Sequence, residues 1–369
     1  MALRRAVVSL LNTPAGLFPW YEAFPLAIGE KLAAHGIEHV LGYKEYLANA
    51  SVPATPRLAV HDIDAMPHGD WLRAHLEPVL ARFDQVIVHT HSYAFGSCRL
   101  WELMRGRANR RWYATSHRTP RPASAWHAVP RRLLQVLRRG YPDRVFGCSA
   151  ASAAALRGMY LPSRVGVLLN GRLAGEDLNR FPPREVPRRA LFAGRLVAEK
   201  GVWSLLEAAA VLVARYPDFE LVVVGMGPEE AAMRDWIAAR GLASRVRMTG
   251  YQPDLAPYYA QADFVIMPSD PALVSEGLPL VALEAKGWAL PLLYTASGGL
   301  PETQLEGQTG LLVDPFDAAG LAAAAMALMD DIPRYHDMRS AIAVERQRWS
   351  LDAMAERYLV AYLAGFASM

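Results

Sequence analysis

Two glutamates, Glu276 and Glu284, lie eight positions apart in the segment PSDPALVSEGLPLVALEAKG, residues 268–287. Between them, Pro279 favours a helix that begins near this residue and runs to about Lys286, since proline is well tolerated in a first helical turn. The N-terminus of a helix attracts anions through its free amides and its dipole. Two acidic side chains at this place therefore raise the question of which other anion binds there.

A diphosphate with a sugar at each end would fit this arrangement. The amides of Leu278, Leu280 and their neighbours would point at the phosphates, although Pro279 has no N–H to donate. Glu276 lies just before the helix, and Glu284 lies about 7.5 Å beyond Pro279 at 1.5 Å per helical residue. Each carboxylate could then accept hydroxyls from one sugar. The alternative is that Glu276 only complements the helix dipole and Glu284 is a surface acid.

Arg195 and Lys200 occupy a short loop in FAGRLVAEKG, residues 192–201, which follows a predicted strand and ends at Gly201 before a helix. An arginine fork and a lysine ammonium are both well suited to holding phosphate groups. The pair therefore indicates a phosphate clamp. The alternative is two loop cations that only face solvent.

The segment VVVGMGPEEAAM, residues 222–233, contains a Gly-x-Gly turn after a strand, as dinucleotide-binding folds do. Glu230 takes the place of the third glycine, and acidic residues there already suit the helix dipole. We therefore interpret this segment as a structural strand-to-helix turn rather than a site for NAD.

Strand-like and helix-like segments alternate along the whole chain. Short aliphatic runs such as DQVIVHTH and FELVVVGMG are typical of buried parallel strands joined by crossover helices. The pattern stops at the proline-rich FPPREVPRR and then starts again. We therefore predict an α/β chain of two doubly wound, Rossmann-like domains, with ligands at the carboxyl ends of strands and in the cleft between domains. The predicted boundaries are 1–178, 188–346 and, for a last helix, 347–369.

The composition is that of a globular protein, because 52% of the 369 residues are apolar and 20% are charged. The two cysteines, Cys98 and Cys148, are too few for a disulfide framework. The first apolar run, AVVSLL, is shorter than a signal sequence requires, and no run approaches the roughly 20 residues of a membrane span. We expect a cytoplasmic protein, with peripheral contact at the inner face of the membrane left open.

Positive charge is concentrated in the first half of the chain. Residues 1–180 contain 23 Lys and Arg against 13 Asp and Glu, whereas residues 181–369 contain 16 against 23. Twelve arginines lie within 99–144, where the segment 130–140, PRRLLQVLRRG, places leucines and arginines on opposite sides of a helix. Such a helix either contacts an anionic membrane or packs on the sheet with its arginines in water. The acidic second half, without a base-reading module, argues against a nucleic-acid partner.

Together these segments resemble glycosyltransferase family four. GRLVAEKG, LVVVGMGP, MTGYQPDLAPYYAQADFVIMPS and SEGLPLVALEAKGWALP, followed by GGLPETQLEGQTGLLVDP, occur in the order and spacing of that family, and VFGCSAASAAAL and VGVLLNGRL are weaker matches. The family is retaining and includes phosphatidylinositol mannosyltransferases, lipopolysaccharide-core glucosyltransferases and sucrose-phosphate synthases. The resemblance implies the GT-B fold, in which two Rossmann-like domains face each other across a cleft and a C-terminal helix crosses back to the first domain.

The resemblance assigns catalytic and donor-binding roles to four side chains. Residues that match Arg195 and Lys200 bind the donor diphosphate and support departure of the nucleotide. The residue that matches Glu276 contacts hydroxyls of the transferred sugar, and the one that matches Glu284 contacts the ribose.

Two backbone elements are also expected near the donor. Leu278, Pro279 and Leu280 match the tight turn beside the sugar and phosphate, although most relatives have Phe-Gly in place of Leu278-Pro279. Gly16, in NTPAGLFPW, matches a glycine-rich loop that lies close to the donor phosphates.

The first domain of the family provides a histidine over the donor sugar. His117, in RRWYATSHRTP, matches its setting at the end of a strand, with Thr115 and Ser116 before it. The match implies contact with a sugar hydroxyl and a role in steering the acceptor. His89 and His91 are expected to line the cleft or to be structural, with His91 the one that could face an acceptor.

The implied function is that of a hexosyltransferase that moves a sugar from a nucleotide-diphosphate donor to a hydroxyl of a glycan, a lipid-linked glycan or a small metabolite. No carboxylate nucleophile is evident in the first half, so front-face displacement is favoured. No cofactor or metal is expected, because cations replace the metal in this fold. A UDP-sugar is the preferred donor and a GDP-sugar the second choice. The alternatives are a GT-B sugar-nucleotide epimerase, which needs no acceptor, and a non-catalytic carbohydrate-binding protein on the same fold.

Overall fold

The computed structural model describes residues 3–15, 19–43, 58–59, 72–91, 98–120, 142–173, 178 and 184–369. The chain divides into two compact units, Met1–Leu173 together with Leu351–Met369, and Ala174–Ser350. Two of the predictions, the role of Gly16 and the amphipathic helix 130–140, lie outside the described residues. Within the described ranges, every helix is too short or too polar to cross a membrane.

The described residues of the first unit form a sheet of seven parallel strands in the order β3-β2-β1-β4-β5-β6-β7. The strands are β1 (Arg5–Leu11), β2 (Ile37–Tyr43), β3 (Leu58–Ala59), β4 (Gln85–His91), β5 (Arg110–Ser116), β6 (Arg144–Gly147) and β7 (Val165–Val167). The chain proceeds outward from β1 to one edge and then from β4 to the other, which is the doubly wound arrangement.

The described residues of the second unit form a sheet of six parallel strands in the order β10-β9-β8-β11-β12-β13. They are β8 (Arg189–Ala193), β9 (Glu220–Val224), β10 (Val246–Gly250), β11 (Phe264–Met267), β12 (Leu292–Tyr294) and β13 (Gly310–Leu312). Along β8, Ala190 and Phe192 join one hydrophobic cluster, whereas Leu191 and Ala193 join a second. Both faces of this sheet are therefore buried, which explains why its strands are apolar throughout.

Helices cover the sheets as crossovers. They are α1 (Pro19–Ala33), α2 (Glu77–Leu80) after a π-helical turn (Leu72–Leu76), α3 (Cys98–Met104), α4 (Ala150–Arg157), α5 (Val202–Arg215), α6 (Glu230–Ala239), α7 (Ala256–Tyr259), α8 (Leu280–Gly287), α9 (Ala318–Asp330), α10 (Ile332–Glu345) and α11 (Leu351–Ala367). Ser149, Asp317 and Asp331 cap α4, α9 and α10 by accepting first-turn amides.

The last helix, α11, packs on α1 and β4 and so belongs to the first unit. Tyr358 and Tyr362 of α11 are fully buried, and the Lys31 ammonium lies 2.6 Å from a carboxylate oxygen of Asp352. The C-terminal helix therefore forms part of the same compact unit as the first sheet.

One arginine of the basic segment 99–144 has a structural role. Arg110 is buried, and its guanidinium donates two hydrogen bonds to the Glu77 carboxylate, at 2.6 and 2.8 Å. This bidentate contact lowers the pKa of Glu77. Arg110 therefore stabilises the first unit and is not available for an anion-binding surface.

Candidate active site

The loop after β8 carries the predicted cations. Arg195 is the second residue after the strand and is exposed, with its guanidinium 4.0 Å from a carboxylate oxygen of Glu199. Lys200 ends a 3₁₀ turn, Ala198–Lys200, and only 16% of its side chain is exposed. The loop after β8 therefore carries an exposed guanidinium at Arg195 and a mostly buried ammonium at Lys200.

Gly201 fixes Lys200 against the neighbouring strand. Its φ of +69° is in the left-handed region, and a Cβ there would lie 2.1 Å from the carbonyl oxygen of Pro268, the residue after β11. Only glycine permits both this conformation and this approach. The start of α5 is therefore pressed onto the end of β11.

The Gly-x-Gly turn after β9 supports the Arg195 loop. A Cβ on Gly225 would lie 1.8 Å from the carbonyl oxygen of Gly194, and one on Gly227 would lie 2.2 Å from that of Leu196. The Leu196 amide donates to the Met226 carbonyl at 2.9 Å. These glycines allow two loops to pack backbone to backbone, which is a structural role of the kind that the sequence favoured.

Glu276 lies directly beside Lys200. The Lys200 ammonium donates to Oε1 of Glu276, and the hydroxyl of Ser269 donates to the same oxygen at 2.9 Å. Glu276 is 9% exposed, and its carbonyl accepts the Gly299 amide at 2.9 Å. The sequence analysis identified Lys200 and Glu276 as site residues. It predicted neither the contact between them nor the hydrogen bond from Ser269 to Glu276.

Helix α8 begins immediately after Glu276 and the turn. Pro279 is the residue before the first helical one, with φ −68° and ψ 127°, rather than part of the first turn. Leu278 is buried, and no side chain caps this end of α8 within the described residues. The Pro279 carbonyl accepts the amides of Ala282 and Leu283 at 3.1 and 3.3 Å. The amides of Leu280 and Val281 come before these first helical hydrogen bonds and are suited to an anion.

Glu284 lies one turn further along α8 and is partly buried. Its Oε2 accepts a hydrogen bond from the Tyr259 hydroxyl at 2.9 Å, and the Tyr259 ring stacks on Trp288. Burial raises the pKa of Glu284 to about 7, although the bond from Tyr259 opposes this shift. Tyr259 was not identified from the sequence, where it is one of two adjacent tyrosines in a short helix.

The raised pKa predicts a pH-dependent stability. Folded Glu284 keeps its proton up to about pH 7, whereas its ordinary pKa is 4.5. Because the folded state then holds more protons than the unfolded chain, the free energy of unfolding falls as the pH rises through this range. We expect Glu284→Gln to be more stable than the parent by roughly 1–3 kcal/mol at pH 8 and equally stable near pH 4.5. Urea unfolding at both pH values measures this difference.

The control for this prediction is Glu207→Gln, which changes an exposed glutamate on α5. It should leave the free energy of unfolding unchanged at both pH values. A gain for Glu284→Gln of equal size at pH 4.5 and pH 8 would show that ionisation of Glu284 is not its cause.

His117 follows β5 in the first unit and is partly buried. Its Nδ1 lies 3.0 Å from Oδ1 of Asn170 and its Nε2 lies 3.2 Å from Nδ1 of His91. Burial lowers the pKa of His117 to about 4, so the imidazole is neutral near pH 7. Neither partner was predicted from the sequence.

His89 and His91 are fully buried on β4. His89 bonds the Tyr362 hydroxyl at 2.6 Å and the Thr115 hydroxyl at 2.7 Å, which ties β4 to α11 and β5. Full burial of His91 does not fit the idea that it faces an acceptor.

The second unit therefore groups most of the predicted residues at one edge of its sheet. Arg195, Lys200 and Glu276 follow the ends of the neighbouring strands β8 and β11. Glu284 lies in the helix that starts beside them, and His117 lies at a strand end of the first unit. Within the described ranges, no three His, Cys, Asp or Glu side chains are grouped as metal ligands would be.

Two doubly wound α/β domains, one of them with cations and a carboxylate at adjacent strand ends before a helix N-terminus, define the GT-B class of proteins. Residues 176–343 match the family described as "Glycosyl transferases group 1". The chain is also 30% identical over 317 residues to glycogen synthase of Mycobacterium tuberculosis, an alignment that covers 81% of this chain and 69% of that protein. The chain belongs to the group 1 glycosyl transferases, as its sequence motifs indicated.

A second relative is D-inositol 3-phosphate glycosyltransferase of Arthrobacter, which is 36% identical over 208 residues. That alignment covers 52% of this chain and spans about half, 48%, of the relative. Among solved structures, the Anabaena protein HepE in complex with UDP and glucose superposes with a TM-score of 0.72 at 18% identity, over 97% of this chain and 99% of that chain. This likeness concerns the fold and confirms the predicted GT-B architecture.

Proposed function

We propose that this protein is a retaining glycosyltransferase that moves a hexose from a nucleotide-diphosphate sugar to a hydroxyl acceptor. The observation that carries the proposal is the contact of Lys200 with Glu276 beside the N-terminus of α8. One ligand with a negative diphosphate and a hydroxyl-rich sugar satisfies the ammonium, the free amides and the carboxylate together. A carbohydrate without phosphate would leave the cations without a role.

Lys200 can serve both halves of such a donor. Its ammonium has three N–H donors, and Glu276 takes one of them. The other two can bind phosphate oxygens, while Arg195 closes on the diphosphate as a bidentate fork. Glu276 keeps acceptor capacity for the hydroxyls of the transferred sugar. We assign the ribose to Glu284, whose Oε2 is held by Tyr259.

The proposed reaction is a displacement on one face of the sugar. The bond between the anomeric carbon and the phosphate oxygen breaks, and a bond to the acceptor oxygen forms on the same face. The acceptor proton passes to the departing diphosphate, so the products are a glycoside and a nucleoside diphosphate. Charge builds on the leaving phosphate, and Arg195, Lys200 and the α8 amides stabilise it there.

We propose UDP as the nucleotide, since HepE, a solved structure of the same fold, holds UDP and glucose. The acceptor hydroxyl belongs to a glycan, a lipid-linked glycan or a small metabolite. Hydrolysis assays across UDP-, GDP-, ADP- and TDP-sugars identify the donor. A preference for GDP-sugars would change the base in the proposal without changing the diphosphate site.

The proposal is tested by binding and by stereochemistry. Calorimetry at pH 8, where Glu284 is ionised, should show UDP binding in the presence of EDTA. Glu284→Gln should weaken this binding about tenfold through the lost charge-assisted contact to the ribose. NMR of the product should show the anomeric configuration of the donor. Conversion of the donor sugar to an epimer without acceptor would favour an epimerase. Sugar binding without any turnover would favour a carbohydrate-binding protein.

A further inference from the structure

A chain of hydrogen bonds runs through the first unit at the ends of strands β4 and β5. The ends of β4 and β5 are adjacent, with His91 opposite Thr115 in the register. From there, His117 bonds Asn170 at 3.0 Å on one side of its ring and His91 at 3.2 Å on the other. The rings of His91 and His117 are nearly parallel, 15° apart. Both nitrogens of His117 are therefore engaged by named partners.

The amide oxygen of Asn170 determines where the proton of His117 lies. A carbonyl oxygen can only accept, so Nδ1 of His117 must carry the hydrogen that bridges to it. A neutral imidazole carries one N–H, and burial lowers the pKa of His117 enough to keep it neutral near pH 7. Nε2 of His117 then has a lone pair, and Nδ1 of His91 must be the donor to it.

The same logic leaves a lone pair on the far nitrogen of His91. Nε2 of His91 is buried and has no hydrogen-bond partner among the residues that the structure describes. An unpaired buried nitrogen costs free energy that a leucine at this position would avoid. Unlike leucine, the His91 imidazole can donate an N–H to His117.

The surroundings hold this chain in place. The indole N–H of Trp20 donates to the carbonyl of Gly171, the residue after Asn170, at 2.6 Å. The Trp20 ring also meets the His117 ring edge to face at 5.2 Å. Phe24 lies against both His91 and His117, with ring centroids 5.2 and 5.6 Å apart. Asn170 itself is buried, so its amide does not turn freely.

We propose that Asn170 is a positioning residue that sets the tautomer of His117, and through it that of His91. With hydrogen on Nδ1, His117 presents Nε2 as an acceptor, which takes the N–H of His91 in the structure. A substrate hydroxyl can bind this nitrogen only when the His117 ring turns away from the buried His91. The consequence for turnover rests on the proposed function and on the contact between His117 and a substrate hydroxyl that the family resemblance implies. The inference adds Asn170 as the residue that sets which nitrogen of His117 accepts a hydrogen bond.

The tautomers are measured directly by two-bond ¹H–¹⁵N correlation spectra of the ¹⁵N-labelled protein, with His117→Gln to identify the resonance. We expect His117 to carry its proton on Nδ1 in the parent and in Asn170→Asp, which keeps an acceptor oxygen. Asn170→Leu should populate the Nε2–H form of His117 and move the His91 resonances as well. The exposed His35, bonded to the Lys31 carbonyl, provides a control through His35→Gln, which should change neither.

Two results of these spectra would overturn the inference: His117 protonated on Nε2 in the parent, or a tautomer that Asn170→Leu leaves unchanged. His91→Leu separates the two partners, because Asn170 alone should keep the Nδ1–H form of His117. Thermal unfolding and circular dichroism confirm that each variant is folded. Since these measurements need no substrate, they decide the tautomer whether or not the proposed function holds.

Kinetics test the consequence for turnover. With UDP-glucose as the probe, Asn170→Leu should lower kcat about three- to tenfold, as expected for one hydrogen bond, and Asn170→Asp should restore most of it. UDP affinity should stay within twofold, since the diphosphate and ribose contacts lie in the second unit. A switched tautomer with unchanged kcat would refute the positioning role. A parent protein that turns over no sugar nucleotide would instead contradict the proposed function.

Discussion

Replacing Lys200 with alanine is expected to lower kcat by about 10²- to 10³-fold, the effect of removing one charge-stabilising group from an active site. Lys200 is held in the loop after β8 by its turn and by the contact with Glu276. The leaving diphosphate would lose its fixed positive partner while Arg195, on an exposed side chain, remains. Steady-state kinetics with the donor found in the hydrolysis screen measure the change.

Lys200→Ala also leaves the Glu276 carboxylate, which is 9% exposed, without the Lys200 ammonium, although the Ser269 hydroxyl still donates to it. Such a group destabilises the folded state by roughly 1–3 kcal/mol. Adding Glu276→Gln should restore the free energy of unfolding but not kcat, because the amide needs no cation and the phosphate still does. Turnover that returns with stability would show that Lys200 acts only through the fold.

A matched control is available on the surface of the same unit. Arg234 forms an exposed ion pair with Glu230 on α6, at 2.8 Å. Exposed pairs of this kind contribute at most about 1 kcal/mol, so Arg234→Ala should leave kcat within twofold. A comparable loss from Arg234→Ala would mean that overall charge, and not the place of Lys200, determines the rate.

Gly201→Ala is expected to produce the largest loss of stability, roughly 2–5 kcal/mol. A left-handed conformation costs a residue with a Cβ about 1–2 kcal/mol. At Gly201 this Cβ would also lie 2.1 Å from the Pro268 carbonyl oxygen, and relief of such an overlap adds about 1–3 kcal/mol. Urea unfolding measures the difference, and because Lys200 precedes this residue, turnover should fall as well.

Gly241→Ala separates the two contributions. Gly241 has a similar φ of +66°, but no atom lies within 4 Å of the place its Cβ would take. The free energy of unfolding of Gly241→Ala should fall only by the cost of the left-handed conformation, about 1–2 kcal/mol, and its turnover should be unchanged. Equal losses at the two positions would refute the claim that contact with β11 makes Gly201 essential.

The proposed site contains groups that do not maximise stability. Glu284 is partly buried with a raised pKa, and the Glu276 carboxylate is 9% exposed beside the Lys200 ammonium. Groups of this kind are common where a ligand provides the missing partners. We therefore expect a given concentration of UDP to raise the free energy of unfolding more in the parent protein than in Glu284→Gln. The variant binds UDP more weakly, and stabilisation by a ligand grows with its affinity.

The sequence by itself determined the architecture and the positions of most charged site residues. Strands such as β8 and β11 are buried on both faces, so their apolar composition marks them without knowledge of their neighbours. Arg195, Lys200 and Glu276 follow such strands, and carboxyl ends of parallel strands share one edge of a sheet. Their grouping could therefore be anticipated before any distance was known.

Only the tertiary structure decided which side chains touch. The pairs Lys200–Glu276, Tyr259–Glu284 and Asn170–His117 are 76, 25 and 53 residues apart in the chain. Their contacts follow from the order of strands and from how each loop packs on the next, which no local pattern encodes. Gly225 and Gly227 are a further example. Glycine is required at these positions because the carbonyl oxygens of Gly194 and Leu196, which belong to another loop, approach too closely for a Cβ. Local composition fixes where a strand ends, whereas hydrogen bonds of a few ångströms depend on the packing of the entire domain.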